Sequence, residues 1–518
     1  MKEPTESLLR GAVRNSASAG LGSVATFIIG FVFAGLTIRY LGEARGGYLM
    51  SLQALVGVNS IIVGFGLGTP LVRRVAACLA DHNIPGARRA VGTVMTVNLV
   101  LGILFAVLLP LFFSQIFSWS QLSAGYREDA FRATILTAAS FVLMQAGASW
   151  QLMYSATQRY DIANILSTAT GLVSGGVGIV VLRLIPSMTA IAGVGLMVVF
   201  LRLTTDAIMQ RRLFGEVFLP AWEWIELKAM SGFGVWTYLG SIGGFLFTNV
   251  DRLLLTTFLG SASLPYYVIP QRLYGQVHAA LSGQSEFLFP MLSSFGDRAA
   301  GKIEQIEDRM RWFIAAGSIL LYFSIALLAP VVLEHLISRE YVERSRWMII
   351  LACVQGLCHA QMIVPYFTSW SVGRGAPNTI AQLSNGVLVI GSAFLLIPWL
   401  GVLGMSVAQL WILPVVIGHS LYVRHLTAPG SGKFFWARAL VSPGVMAGVW
   451  LALIAGASLV FPAGSAGWTS VAMAGGLLGA FVLWVVERDF LAEYDRLGTL
   501  QRAMRLIVNR FKVAVRLP

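Results

Sequence analysis

The chain has 518 residues, of which 56% are hydrophobic and 12% charged, with a mean hydropathy of +0.74. A water-soluble domain carries roughly twice that charged fraction, which excludes a soluble globule of this size. The net charge of +13 would fit nucleic-acid binding, but Lys and Arg gather in alternate hydrophilic loops, the pattern of a membrane protein with its positive charge on one side.

Apolar runs of about twenty residues recur along the chain, the length a helix needs to cross ~30 Å of hydrocarbon. Fourteen are counted: 17–38, 47–70, 91–117, 131–156, 162–184, 187–209, 232–260, 264–294, 311–333, 346–370, 377–399, 401–423, 439–461 and 468–486. They are too long and too apolar for barrel strands, so an all-α polytopic membrane protein with about 14 transmembrane helices is expected. The first run exceeds a signal-peptide core and reads as a retained helix. Gly401 and Gly404 provide the tight turn that the almost loop-free eleventh and twelfth runs require. Cys78, Cys353 and Cys358 form neither a disulfide framework nor a metal-ligand spacing, and no cofactor is expected.

One set of loops carries Arg73, Arg74, Arg88, Arg89, Arg159, Arg211, Arg212 and Lys228. Further along it carries Arg298, Lys302, Arg309, Arg311, Arg374, Arg424, Lys433 and Arg438. The opposite set is shorter and poorer in bases, apart from the segments around Arg127 and Arg339–Arg346, where acids balance them. Both termini are therefore expected on the cytoplasmic face. In the tail, Leu497, Leu500, Met504, Ile507, Phe511 and Val515 recur at helical spacing among six bases, as in an amphipathic helix on an anionic membrane face. A basic tail that merely fixes topology is the alternative.

An internal repeat is visible. Tyr40-Leu41-Gly42 precedes Tyr48, and Phe258-Leu259-Gly260 precedes Tyr266, at a constant offset of 218 residues. The first copy joins runs one and two, and the second joins runs seven and eight. Two parallel six-helix lobes, related by an axis along the membrane normal, account for this placement. The expected architecture is two pseudo-symmetric six-helix lobes plus two extra C-terminal helices. Its units are an N-terminal lobe (1–212), a linker (213–230), a C-terminal lobe (231–425), helices 13 and 14 (426–487) and a basic tail (488–518).

Charges inside the apolar runs mark the candidate site. Asp251, Arg252 and Arg272 lie at membrane depth, where ionisable side chains usually face a cavity. The offset places them opposite Phe33, Ala34 and Ala54, so the charges belong to one lobe only. Asp251 precedes Gly260 by nine residues and Arg272 follows Leu264 by eight. Both are therefore about 12–13 Å into the membrane. Asp251 is expected to partner Arg272 or Arg252, leaving one arginine to face the cavity; the alternative is a structural ion pair. Gln276 and Glu286 share a helical face with Arg272, while Gln271 and His278 lie on a neighbouring face. Glu286, His278 and His359 are the candidates for ion coupling. Gln355, Gln361, Asn378, Gln382 and Asn385 are amides suited to sugars or to holding helices together. Arg39 lies near the outer interface, where it would snorkel or join the cavity, and Arg14 precedes the first helix at the inner mouth.

No Gly-x-Ser-x-Gly elbow, P-loop or His-Glu-x-x-His occurs, so no enzymatic activity is expected. The glycine run at Gly64, Gly66 and Gly68 ends a membrane helix and fits close packing better than nucleotide binding.

Several stretches together resemble the polysaccharide-type (Wzx-like) flippases of the multidrug/oligosaccharidyl-lipid/polysaccharide exporter superfamily. They are Tyr40-Leu41-Gly42-Glu43-Ala44-Arg45-Gly46-Gly47 and Gln158-Arg159-Tyr160-Asp161 with Asn164. The third is Asp251-Arg252-Leu253-Leu254 with Leu259-Gly260, Tyr267, Arg272-Leu273 and Phe289-Pro290. Gly46 stands where the family has an aromatic residue, and Pro265 and Pro270 depart from the common pattern. The resemblance covers roughly the first twelve helices. It implies a V-shaped monomeric transporter that uses no ATP and flips undecaprenyl-pyrophosphate-linked oligosaccharide across the bacterial inner membrane for cell-surface or exopolysaccharide synthesis. Membrane lipids, a polysaccharide polymerase and glycosyltransferases would be its partners. The substrate-binding candidates are then Arg272, Arg252, Asp251, Gln276, Arg39 and Arg14. The alternatives are a drug/cation antiporter of the same superfamily and a membrane-embedded polymerase or ligase for the same glycans. The first would need an acid within the first five helices, and none lies there; the second would need a large outer loop.

Overall fold

The computed structural model describes residues 22, 24–57, 67–157, 159–230, 242–245, 249–286, 288–293, 300–427, 447–448 and 474. Among them, nine stretches are helical, long and apolar enough to cross a membrane, and no strand occurs. The chain is an all-α, polytopic membrane protein. Arg14, the basic tail and, three positions apart, the expected thirteenth and fourteenth spans lie outside the described residues.

The N-terminal lobe contains α1 (Val24–Leu41), α2 (Glu43–Val56), α3 (Gly68–Ala80), α4 (Ile84–Leu111), α5 (Phe113–Ser120), α6 (Arg127–Ala156), α7 (Tyr160–Leu184) and α8 (Met188–Phe214). The C-terminal lobe contains α9 (Val250–Leu259), α10 (Leu264–Ser285), α11 (Leu288–Ser293), α12 (Ala300–Leu336), α13 (Arg339–Ala360), α14 (Ile363–Ser371), α15 (Ala376–Leu400), α16 (Val402–Ala408) and α17 (Ile412–Thr427).

Several helices outrun their apolar stretches. Asn83 caps α4 by accepting from the Gly86 amide at 2.9 Å, with Pro85 in the first turn, so Arg88 and Arg89 sit on the helix rather than in a loop. Arg73 and Arg74 lie on α3 in the same way. The apolar run marks the membrane-embedded part of a helix, whereas capping decides where the helix stops. Run eight is likewise broken: α10 ends at Ser285 and α11 resumes at Leu288.

Both arms of the repeat turn through one backbone conformation. Gly42 has φ 81° and ψ 166°, and Gly260 has φ 79° and ψ 169°. A side chain at either position would be strained, which explains the glycines. The two loops pack on each other. A Cβ at Gly47 would lie 1.8 Å from the Ser261 carbonyl oxygen, so only glycine permits this approach. Ser261 Oγ lies 2.8 Å from the Ala44 carbonyl and 3.0 Å from that of Ser120. Farther along α2, Ser51 and Thr256 share a buried hydroxyl hydrogen bond of 2.9 Å. Glu43 accepts from the Tyr266 hydroxyl, to which Arg344 donates at 3.2 Å. The lobes are thus joined at the end that carries the Gly42 and Gly260 loops.

Within the N-terminal lobe, α1 lies on a ladder of small residues in α7. A Cβ at Gly171 would meet Thr26 at 2.3 Å, one at Gly175 would meet Ile29 at 3.0 Å, and one at Gly178 would meet Phe33 at 2.5 Å. Lipid provides no hydrophobic drive for helix association, so close backbone approach of this kind carries the packing. The linker between the lobes runs back along the N-terminal lobe. Trp150 Nε1 donates to the Phe218 carbonyl at 2.9 Å, and the Ala221 amide donates to Gly92 at 3.1 Å. Arg74 forms a two-pronged pair with Glu226, both contacts at 2.9 Å.

Candidate functional site

A cavity of about 340 Å³ lies between the lobes. Thr26, Phe27, Gly30 and Phe31 of α1 and Ser167 and Thr168 of α7 form one wall, and Arg272 and Gln276 of α10 face them. The two α10 residues are four apart and share a helical face. Their wall carries charge; the opposing wall offers hydroxyls and aromatic rings. No carboxylate lines this cavity among the described residues.

Asp251 is buried but makes no ion pair with Arg272 or Arg252 among the described residues. Its Oδ2 accepts from the Tyr267 hydroxyl at 2.5 Å and its Oδ1 from the Arg252 amide at 2.7 Å. The expected partner was an arginine, and azimuth explains the difference. Five residues separate Tyr267 from Arg272, which turns them about 140° apart on α10. Asp251 therefore meets the face opposite the cavity wall. Behind it runs a chain of amides: Gln409 Nε2 donates to Tyr267 at 2.8 Å, Gln355 to Gln409 at 3.2 Å and Gln271 to Gln355 at 2.8 Å. This chain ties α10 to α13 and to the turn before α17, so Gln355 serves packing rather than the cavity.

Arg272 keeps its guanidinium at the cavity. Nη2 donates to Gln53 Oε1 of α2, in the opposite lobe, at 2.9 Å. Arg252 lies on α9, the helix that precedes α10, and its Nε is buried without a hydrogen-bond partner among the described residues. Two guanidiniums against one carboxylate leave a local excess of one positive charge. Gln53 was not among the sequence candidates. The repeat offset would have found it, because Gln53 plus 218 is Gln271.

The other candidates separate. His278 and His359 come together on α10 and α13, with rings stacked 3.9 Å apart and 7° from parallel, and Tyr274 hydrogen-bonds His359 Nδ1. Glu286 is an exposed residue at the C-terminus of α10, away from the cavity lining. Arg39 does not reach the cavity; its Nη1 donates to the His335 carbonyl at 3.1 Å, on the exposed side of the contact between α1 and α12. Asn378 bonds His419 at 2.7 Å and the Tyr366 carbonyl at 3.1 Å, an interhelical role.

Residues 38–346, more than half of the chain, match the model of a family described as polysaccharide biosynthesis protein. The chain belongs to that family. No curated relative matches the sequence. Among solved structures, the chain is similar to the lipid II flippase MurJ in an inward closed conformation, with 12% identity and a TM-score of 0.71 over 91% of this chain and 99% of that one. It is also similar to a MATE-family multidrug resistance transporter of the MOP superfamily, solved in an inward-facing conformation. There the identity is 13% and the TM-score 0.64 over 79% of this chain and 98% of that one. A third likeness is to a MOP superfamily transporter from Pyrococcus furiosus described as having a binding pocket of reversed polarity, with 14% identity and a TM-score of 0.52 over 82% and 95%. At these identities the likenesses establish a shared transporter fold. Within it, this member of the polysaccharide biosynthesis family places its cavity charge on α10.

Proposed function

We propose that the protein flips a lipid-linked oligosaccharide across the bacterial inner membrane by alternating access, without chemical change to its substrate. The observation that carries this reading is the interlobe cavity, with Arg272 and Gln276 facing Thr26, Ser167 and Thr168. A pyrophosphate-linked sugar offers a dianionic group for a guanidinium, whose planar fork matches phosphate oxygens and stays charged at depth. It also offers hydroxyls for the opposite wall. Undecaprenyl-pyrophosphate-linked oligosaccharide fits this chemistry, with its tail left in lipid. A drug cation would instead favour a carboxylate at the cavity. The basic loops assign the cytoplasm to the end opposite Gly42 and Gly260, so both termini are cytoplasmic and the contact between those loops closes the outer side.

The stacked His278 and His359 are the site we assign to proton coupling, because imidazoles this close hold one proton far more readily than two. A His359→Phe variant should flip substrate at a rate indifferent to an imposed proton gradient; retention of the wild-type response would remove the assignment. The test of flipping itself is the sidedness of the lipid-linked glycan in cells lacking this gene, with and without the wild-type copy. Glycan trapped at the inner face and released by complementation supports the flippase. Glycan already exposed outside in the deletion strain removes it and favours a polymerase or ligase.

A further inference from the structure

Gln53 and Arg272 make a contact that sets them apart. Along α2, the residues that join the lobes follow a stripe of small or buried side chains: Gly47 on Ser261, Ser51 on Thr256, then Ala54, which is fully buried. Gln53 lies off that stripe. It is exposed, and its Oε1 meets Arg272 at 2.9 Å. Among the described residues, this is the one hydrogen bond that ties a cavity-lining side chain to the opposite lobe. No carboxylate pairs with Arg272 among them, so a neutral amide oxygen occupies a donor suited to an anion.

We infer that Gln53 is an internal stand-in for the substrate's phosphate: it holds Arg272 while the cavity is empty and is displaced when a phosphate oxygen arrives. A neutral acceptor suits this role. An amide oxygen aligns the guanidinium and satisfies its proton, yet a charged oxygen outcompetes it, since a phosphate adds the attraction of opposite charges and can take the guanidinium's fork through two parallel bonds. A carboxylate in its place would not yield so readily. Displacement also removes a tie between the lobes, so loading the cavity loosens the closed outer end. This assignment rests on the reading of Arg272 as the anion site.

The test uses the purified full-length protein in lipid nanodiscs, with inorganic pyrophosphate as the probe and titration at fixed ionic strength. Removing the competitor in Gln53→Ala should tighten pyrophosphate binding roughly tenfold, since the lost bond involves a charged donor. Gln53 is exposed, so the truncation leaves no buried void. Gln53→Glu places a permanent carboxylate against Arg272 and should weaken binding by more than about tenfold. Nitroxides at Ser123 and Arg339, on opposite lobes beside the outer contact, should report a longer separation in ligand-free Gln53→Ala than in wild type. Arg272→Ala separates the two levels of the argument. Undiminished binding there overturns the anion-site reading itself. Binding that depends on Arg272, but is unchanged or weaker in Gln53→Ala, overturns the stand-in and leaves the anion site intact.

Discussion

Two buried carboxylates, Asp206 in the N-terminal lobe and Asp251 in the C-terminal lobe, are satisfied in different ways. In the N-terminal lobe, Asp206 has no exposure and is fully engaged: Arg202 Nε donates to it at 2.9 Å, the Tyr154 hydroxyl at 2.9 Å and Gln151 at 3.4 Å. In the C-terminal lobe, Asp251 takes a phenol and a backbone amide, and no arginine side chain pairs with it among the described residues. The helices repeat and the glycine turns match to within a few degrees, yet the side chains at the cavity have diverged. Charge satisfied inside a lobe holds that lobe together. Charge left to a cavity wall is available to a ligand. The comparison therefore supports the cavity wall on α10 as the place of the proposed function.

The largest expected effect lies where charge is satisfied. Asp206→Ala strands Arg202 in a nearly dry site and should cost about 3–5 kcal/mol of stability, seen as a large drop in the thermal midpoint in detergent. A small drop would mean that the N-terminal pair is not structural. Next comes Arg272→Ala, which removes a charge-assisted contact and should slow flipping about ten- to a hundredfold with little loss of thermal stability. Asp251→Asn keeps an acceptor for Tyr267, so it should cost only about 1 kcal/mol of stability; a loss as large as that of Asp206→Ala would erase the contrast between the two aspartates. Thr168→Ala, on the neutral wall, should slow flipping roughly fivefold at most, the worth of one neutral hydrogen bond. The smallest effect belongs to Arg339→Ala. Its partner is Glu343 at 3.1 Å, but the two side chains are 80% and 67% exposed, so less than about 0.5 kcal/mol should be lost.

Much of this was legible in the sequence for stated physical reasons. Run length gave the spans, and the 218-residue offset gave two turns that share one glycine conformation. The shared helical face of Arg272 and Gln276 gave one wall of the cavity. The pairing of Asp251 was not legible, because matching depth constrains height and leaves azimuth open. The partner of Arg272 was missed because Gln53, an uncharged side chain on an apolar helix, attracts no notice until the repeat is carried through to it. The opposite wall was invisible for a similar reason: Thr26, Ser167 and Thr168 become a site only when the glycines of α7 bring α1 close.

The measurement that bears most directly on the role of the cavity is glycan sidedness in deletion cells complemented with Arg272→Ala or Arg272→Lys, each at wild-type abundance in the membrane. With Ala, the glycan should stay at the inner face. With Lys, which keeps the charge but lacks the planar fork, part of it should reach the outside. Full complementation by Arg272→Ala would show that substrate does not cross through this cavity on that arginine, and the account would be wrong.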